Sequence, residues 1–279
     1  MVEFSAPAAG RVRFLVRRPG LVASAAVLVF VTGWAAAPGL FTTHDPLAGI
    51  PREKLSAPSA AHLFGTDETG RDVFARVVHG SALSLGATVA AVLIAVLAGS
   101  ALGLAAGALG GLADTVSMRL TDVLLAVPAI LLSLALVTAL GFGTGKVAVA
   151  VGVANVAHFA RLMRAEVLRV RTSPYVEAAG AAGVRPFTVL ARHILPNAAG
   201  PVVVLAVLTL GTAVLEISAL SFLGYGAAPP APEWGSLVAG GRAYLASAWW
   251  MTTLPGLVIA AVVLSVNRIS RALDGELHA

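Results

Sequence analysis

Few residues in this chain are of a type and spacing that could do chemistry. Leu140 to Val147 reads LGFGTGKV, the composition of a phosphate-binding loop. A Walker A loop needs G-x-x-x-x-G-K-[ST], where backbone N–H groups cradle phosphate and the last hydroxyl holds magnesium. Here Leu140 replaces the first glycine and Val147 the hydroxyl, so the stretch reads as a turn between apolar segments. Neither H-E-x-x-H nor G-x-S-x-G occurs, which leaves a zincin or a nucleophile elbow without support. The histidines at 44, 62, 79, 158, 193 and 278 form no i, i+4 pair for a metal, and there is no cysteine for disulfides, thiolate sites or thiol catalysis. Catalysis, metal binding and ATP hydrolysis are therefore not expected of this chain. Three polar side chains in apolar surroundings remain: Asp122, Glu216 and His158. Charge at membrane depth is costly and marks a pathway, a partner or a protonated acid. Asp122 follows Arg119 by three residues, so a helical ion pair is expected. Glu216 has no basic neighbour on its own segment and reads either as lining a polar cavity or as bonding another subunit. His158 reads as a packed, hydrogen-bonded histidine, with substrate contact as the other role open to it.

The elements that would position these groups are membrane spans. Hydrophobic residues make up 58% of the 279 and charged residues 12%, more apolar surface than a soluble core of this size can hide. The net charge of +5 comes from basic residues spread among apolar blocks, which fits membrane topology rather than a nucleic-acid face. A spanning helix needs about 20 mainly apolar residues. The long uncharged runs predict six spans, at 20–40, 82–107, 121–140, 146–162, 200–222 and 252–269, with the second helix projecting past the lipid. Six spans put both termini and the loops at 108–120 and 163–199 on one side, with most of the arginines, including Arg161, Arg164, Arg169, Arg171, Arg185 and Arg192. The positive-inside tendency makes that side cytoplasmic. This divides the chain into a cytoplasmic segment (1–19), a first span (20–40), an extracytoplasmic loop (41–81), a five-helix core (82–269) and a cytoplasmic tail (270–279). The other reading of the first span is a signal peptide with Arg11 to Arg18 as its n-region and Ala35-Ala36-Ala37 as its cleavage site; a twin-arginine signal at Arg17-Arg18 is a weaker match.

Within the spans, Gly99, Gly103, Gly107 and Gly111 recur every fourth residue, a smooth stripe for close helix approach, either packed statically or sliding. Pro128 and Pro255 can kink their helices, and Trp249-Trp250 sit where an aromatic belt would lie. The loop after the fourth span predicts a knob of two short helices. Ser173 caps the first with Pro174 in its first turn, Gly183 forms the elbow, and Pro186 starts a second helix through His193.

In this loop Glu177-Ala178-Ala179, three residues, Gly183, ten residues, then Ile194-Leu195-Pro196 resemble the EAA motif of binding-protein-dependent ABC importer permeases. Arg192 to Asn197 (RHILPN) is similar to the dipeptide/oligopeptide/nickel branch. His62 to Val73 (HLFGTDETGRDV) resembles the H-x-x-G-T-D-x-x-G-R-D signature of the C-type subunit in that branch. Met118 to Ala126, Leu220 to Gly224 and Pro229 to Ser236 (PPAPEWGS) also resemble it, so the likeness runs from about residue 10 to 275. One departure is Gly180, where many relatives carry arginine.

The resemblance implies an all-α integral membrane protein of the type I ABC importer permease fold, in the bacterial inner membrane, with cytoplasmic coupling helices. It implies a homologous second permease, two ATP-binding subunits that hold ATP and magnesium, and an extracytoplasmic substrate-binding protein. ATPase coupling would fall to Glu177, Ala178, Ala179, Gly183, Ile194, Leu195 and Pro196, and the path to residues such as Glu216, Asp122 and His158. The cargo implied is a dipeptide or oligopeptide, with nickel or a metal chelate as the alternative. From other classes, a membrane enzyme using Glu216 and Asp122 lacks a catalytic constellation, and a secondary carrier would need internal repeats that the sequence does not display.

Overall fold

The computed structural model describes residues 19–277, with side chains to 272. The arginines at 11, 13, 17 and 18, the predicted n-region, His278 and the ends of the segments 1–19 and 270–279 lie outside the described residues. Everything described is helix, turn or loop, apart from one isolated bridge between Thr66 and Asp72.

The main helices are α1 (Pro19–Ala36), α2 (Val73–Leu109), α3 (Gly111–Leu125), α4 (Ala129–Leu140), α5 (Thr144–Arg171), α6 (Pro174–Ala181), α7 (Pro186–Val189), α8 (Leu195–Phe222), α9 (Trp234–Gly241) and α10 (Trp250–Leu277). Five runs are long and apolar enough to cross a membrane, and α3 with α4 passes the same test as a pair bent by 92°, which brings the number to six if the pair is one span. The chain is a multi-pass membrane protein. Its spans leave two ends. A cap gathers the loops 37–72, 141–143 and 223–249, and a knob gathers 172–194 beside the end of α2. Gly20 lies against the Arg268 guanidinium, so the first and last spans have their outer ends at the knob side, as six spans require.

Helix α2 starts at Val73 rather than 82, because the Asp72 carboxylate accepts from Ala75 N at 2.6 Å and caps it. Its 37 residues span about 55 Å, so it projects well past the lipid, with Val73, Val77 and Val78 buried in the cap. It packs along α5. A Cβ on Gly99 would stand 2.5 Å from Phe159 Cβ, and one on Gly103 2.8 Å from Met163 Cβ. Gly107 meets Val167 similarly, so three of the four glycines form a packed seam. Gly111 is not part of it: it has φ +54° and open space around it, since α2 ends at Leu109 with Gly110 as its C-cap.

At Pro128 the expected kink is a full break. Proline offers no N–H and disfavours helix at the residue before it, so α3 ends at Leu125 and α4 starts anew. Pro255, near the start of α10, leaves that helix continuous. The glycine-rich Leu140–Val147 stretch is a turn, with Gly141 and Gly143 at positive φ and α5 beginning at Thr144. Helix α5 runs nine residues beyond the predicted 162, which carries it to the knob.

The predicted second knob helix is not separate. Helix α7 passes through a π turn, Leu190–Ile194, directly into α8. The wider register has Leu195 N donating to Leu190 O, and it accommodates Pro196, which has no N–H to return.

Candidate functional site

Helix α6 is joined to α5 by Thr172 and Ser173 alone. Pro174 takes the first helical position as predicted, and Ser173 has the extended N-cap backbone. Its hydroxyl does not cap, however. It donates back to Val170 O, while its carbonyl accepts from Val176 N at 3.0 Å and Glu177 N at 3.2 Å. Val176, Val189 and Ile194 bury themselves with Phe159, Met163, Val167 and Val170, so the knob is fixed on the end of α5. Glu177 and Ala178 remain exposed on the outer face of α6, Ala179 is half-buried, and Leu195 and Pro196 are exposed. Gly183 has φ +78° with nothing near its missing side chain; the elbow needs its backbone conformation rather than space. Gly180 also faces open space. Between α6, α7 and the end of α2 lies a groove of about 560 Å³ lined by Arg171, Val176, Glu177, Val184, Phe187 and Ile194 among others. Phe187 is 78% exposed at its rim.

The three polar groups of the spans have different surroundings. Asp122 does not pair with Arg119; it accepts from Arg161 Nη2 at 2.6 Å, on α5. One helical turn or two away, Arg164 Nη2 donates to Asp114 at 2.7 Å. Because α3 lies alongside α5, the tertiary partner displaces the local one, and two ion pairs clasp the bent span to the helix that carries the knob. His158 is exposed on α5, so the expectation of a packed, hydrogen-bonded histidine does not hold within this chain. Glu216 is half-buried on α8 and accepts from Asn155 Nδ2 at 3.1 Å.

The cap is a second polar centre, and its wiring explains the long signature before α2. Asp72, besides capping α2, accepts from His62 Nδ1 at 2.7 Å, and Glu53 lies 3.2 Å from His62 Nε2. Burial opposes the His62 cation, but hydrogen bonds and charge attraction from Asp72 and Glu53 outweigh it and raise its pKa above the ordinary 6.5. Asp67 is likewise opposed by burial, but bonds from Thr69 and Arg71 hold it below its ordinary 3.8. Arg76 Nη1 donates to Pro46 O at 3.0 Å, tying α2 to the preceding loop.

Glu233 was legible only as part of the PPAPEWGS string; the structure makes it the hub of the cap. Fully buried, it accepts from Ser221 Oγ at 2.6 Å, Ala227 N at 2.6 Å and Thr144 Oγ1 at 3.1 Å. Trp234 beside it is also fully buried and donates from Nε1 to Val77 O at 3.0 Å. Trp250, expected in an aromatic belt, is 6% exposed and donates to Thr66 O at 3.1 Å; Trp249 alone is open, at 51%. The indole N–H of Trp250 finds its acceptor in the folded loop, which draws the ring inward.

Residues 99–278 match a family described as binding-protein-dependent transport system inner membrane component. A dipeptide transport system permease protein of Alkalihalophilus pseudofirmus is 43% identical over 238 residues, covering 85% of this chain and 78% of that one. A probable D,D-dipeptide transport system permease protein of Escherichia coli is 39% identical over 249 residues, covering 89% and 84%. A glutathione transport system permease protein of Pectobacterium atrosepticum is 40% identical over 220 residues, covering 79% and 73%. Among solved structures, an inward-facing conformation of the MetNI methionine ABC transporter superposes with TM-score 0.54 at 22% identity, covering 71% of this chain and 95% of that one. The shared arrangement is the type I ABC importer permease fold. With a transmembrane bundle, an EAA-like knob and matches along most of its length, the chain belongs to the family of binding-protein-dependent transport system inner membrane components.

Proposed function

We propose that this chain is one of two permease subunits of a peptide importer, forming with a homologous permease the path for dipeptides or oligopeptides. The knob end faces the cytoplasm, with both termini, and each permease receives one of two ATPase subunits there. The cap faces outward and receives the substrate-binding protein. ATP and magnesium are held by the ATPases, and this chain binds no cofactor of its own. The permeases of known relatives named for dipeptides and for glutathione, all small peptides, support the cargo class.

One observation carries the coupling role: α6 follows α5 after a two-residue link, locked to it by a shared apolar cluster and presenting Glu177 on its free face. A rigid short helix so fixed passes a rigid-body push from a docked ATPase to the span behind it. Through the Arg161–Asp122 and Arg164–Asp114 pairs the same push reaches the bent span α3–α4. The exposed Glu177 carboxylate can take charge-assisted hydrogen bonds from the ATPase, at about 1.5–3 kcal/mol. Ala178, Ala179, Ile194, Leu195 and Pro196 shape the docking surface, with Ile194 acting from within as a buried anchor.

The test is reconstitution of the complex with Glu177→Lys and, separately, Gly183→Leu. Both variants should insert in the membrane yet lose bound ATPase or uncouple hydrolysis from uptake. Gly183→Leu forces a branched residue to φ +78°, a cost of about 1–2 kcal/mol that distorts the elbow. Wild-type stoichiometry with wild-type uptake in both would refute the coupling role.

A further inference from the structure

We propose that Glu216 is the point in the membrane path where a cationic group of the cargo is held in passing, an ammonium such as a peptide's free amino terminus. The proposal rests on the peptide-permease reading above and names the chemistry that reading leaves open.

Glu216 is the only charged residue in α8, six residues from its cap end at Phe222, about 9 Å along the helix. Its one hydrogen-bond partner among the described residues is Asn155, whose Nδ2 reaches Oε2 at 3.1 Å. The same Nδ2 donates to Val151 O at 3.0 Å, so the amide is fixed against its own helix and holds the carboxylate in one place. Oε1 accepts nothing among the described residues, and no ion pair among them involves Glu216.

A carboxylate at this depth with a single neutral donor is poorly compensated, and acids so placed face a cavity, meet a cation or hold a proton. The surface beside it is open rather than packed. Thr212, one turn earlier on α8, and Leu215 are exposed, and His158, one turn from Asn155 on α5, is exposed too. Thr212, Glu216, Asn155 and His158 thus put polar side chains on adjoining faces of two helices that are otherwise apolar there. One anchored carboxylate with a free oxygen suits a brief charge-assisted bond to an ammonium, strong enough to favour entry and single enough to permit release.

The experiment uses the whole complex, with second permease, ATPases and binding protein, in proteoliposomes. The chain has no cysteine, so Thr212→Cys supplies a lone thiol on it one turn from Glu216. Its reaction rates with a trimethylammonium and a sulfonate methanethiosulfonate are compared, with and without Glu216→Gln. A full charge about 6 Å away in water-like surroundings should favour the cationic reagent over the anionic one by about tenfold, and Glu216→Gln should remove that preference. A casein dipeptide hydrolysate should slow cationic labelling at least threefold during turnover, and neither the N-acetylated hydrolysate nor the Glu216→Gln complex should show that protection. If the thiol reacts with neither reagent in resting or cycling complex, the face is not in the path, and the placement of the path fails with the proposal. If it reacts but the preference or the protection is indifferent to Glu216, the path stands and the cation site is refuted. Loss of the second permease from the Glu216→Gln complex would refute it in favour of an ion pair between subunits.

Discussion

Removing the Glu233 side chain should loosen the cap by about 2–4 kcal/mol. Its carboxylate takes three bonds, from Ser221 Oγ at 2.6 Å, Ala227 N at 2.6 Å and Thr144 Oγ1 at 3.1 Å, with no solvent access. In Glu233→Ala the two hydroxyls can rotate toward other acceptors, but the Ala227 N–H cannot, and an unpaired buried donor costs about 1–3 kcal/mol. The space vacated adds about 1 kcal/mol, since a methyl-sized void costs roughly that. Glu233→Gln keeps the shape and one acceptor oxygen for Ala227 N while Ser221 reverses to accept, so its cost should be about 0.5–1.5 kcal/mol, the range of one ordinary hydrogen bond. At about 2–4 °C per kcal/mol for a chain of this order of size, thermal unfolding in detergent should show the Ala variant lower by about 4–16 °C and the Gln variant by at most about 6 °C. An Ala variant within a degree of wild type would refute the hub. A Gln variant as unstable as Ala would show that charge, not hydrogen-bond geometry, holds α9 to α5 and α8.

The α2–α5 seam predicts that Gly103→Val costs about 1–3 kcal/mol by overpacking, because a Cβ there stands 2.8 Å from Met163 Cβ and 2.9 Å from Arg164 N. Gly86→Ala, on the same helix with nothing within 4 Å, should be neutral or stabilising by up to about 1 kcal/mol in the same melt. The raised His62 pKa gives a pH dependence: its stabilisation is full below the unfolded value near 6.5 and is lost as pH rises through the higher folded value. Melting curves between pH 5.5 and 8.5 should therefore fall more for wild type than for His62→Gln, and parallel curves would exclude the His62–Asp72–Glu53 cluster as the source. In intact cells, Ser59→Cys and Ala228→Cys, both exposed in the cap, should react with an impermeant maleimide, while Ala181→Cys on the knob should react only after permeabilisation; outside labelling at 181 would overturn the six-span orientation.

Composition and uncharged run length were sufficient to find the apolar segments, because each transmembrane helix satisfies its own backbone and needs only about 20 apolar residues in sequence. The stripe at Gly99, Gly103 and Gly107, the knob around Glu177 and the turn at Gly141–Gly143 were legible for the same reason: each follows from local helix geometry or from what glycine and proline permit. The EAA-like string and the HLFGTDETGRDV segment carry the family resemblance in the sequence alone.

What failed were choices between partners. Asp122 had a helical neighbour in Arg119, yet Arg161 on another helix holds it, and Trp250 left the expected belt for Thr66 O. The second knob helix fused with α8 through a π turn, and Pro128 broke its span rather than bending it. Glu233 gave no signal beyond its motif, because its donors at 144, 221 and 227 lie far apart or across a turn in the chain. The sequence by itself marked the apolar segments long enough to span and the glycines and prolines that interrupt them, since those depend on contacts within a few residues. Only the tertiary structure decided which acids are paired, which aromatic rings are buried and which face of Glu216 stays open, since a polar group takes the partner that folding brings nearest and the chain does not encode that distance locally.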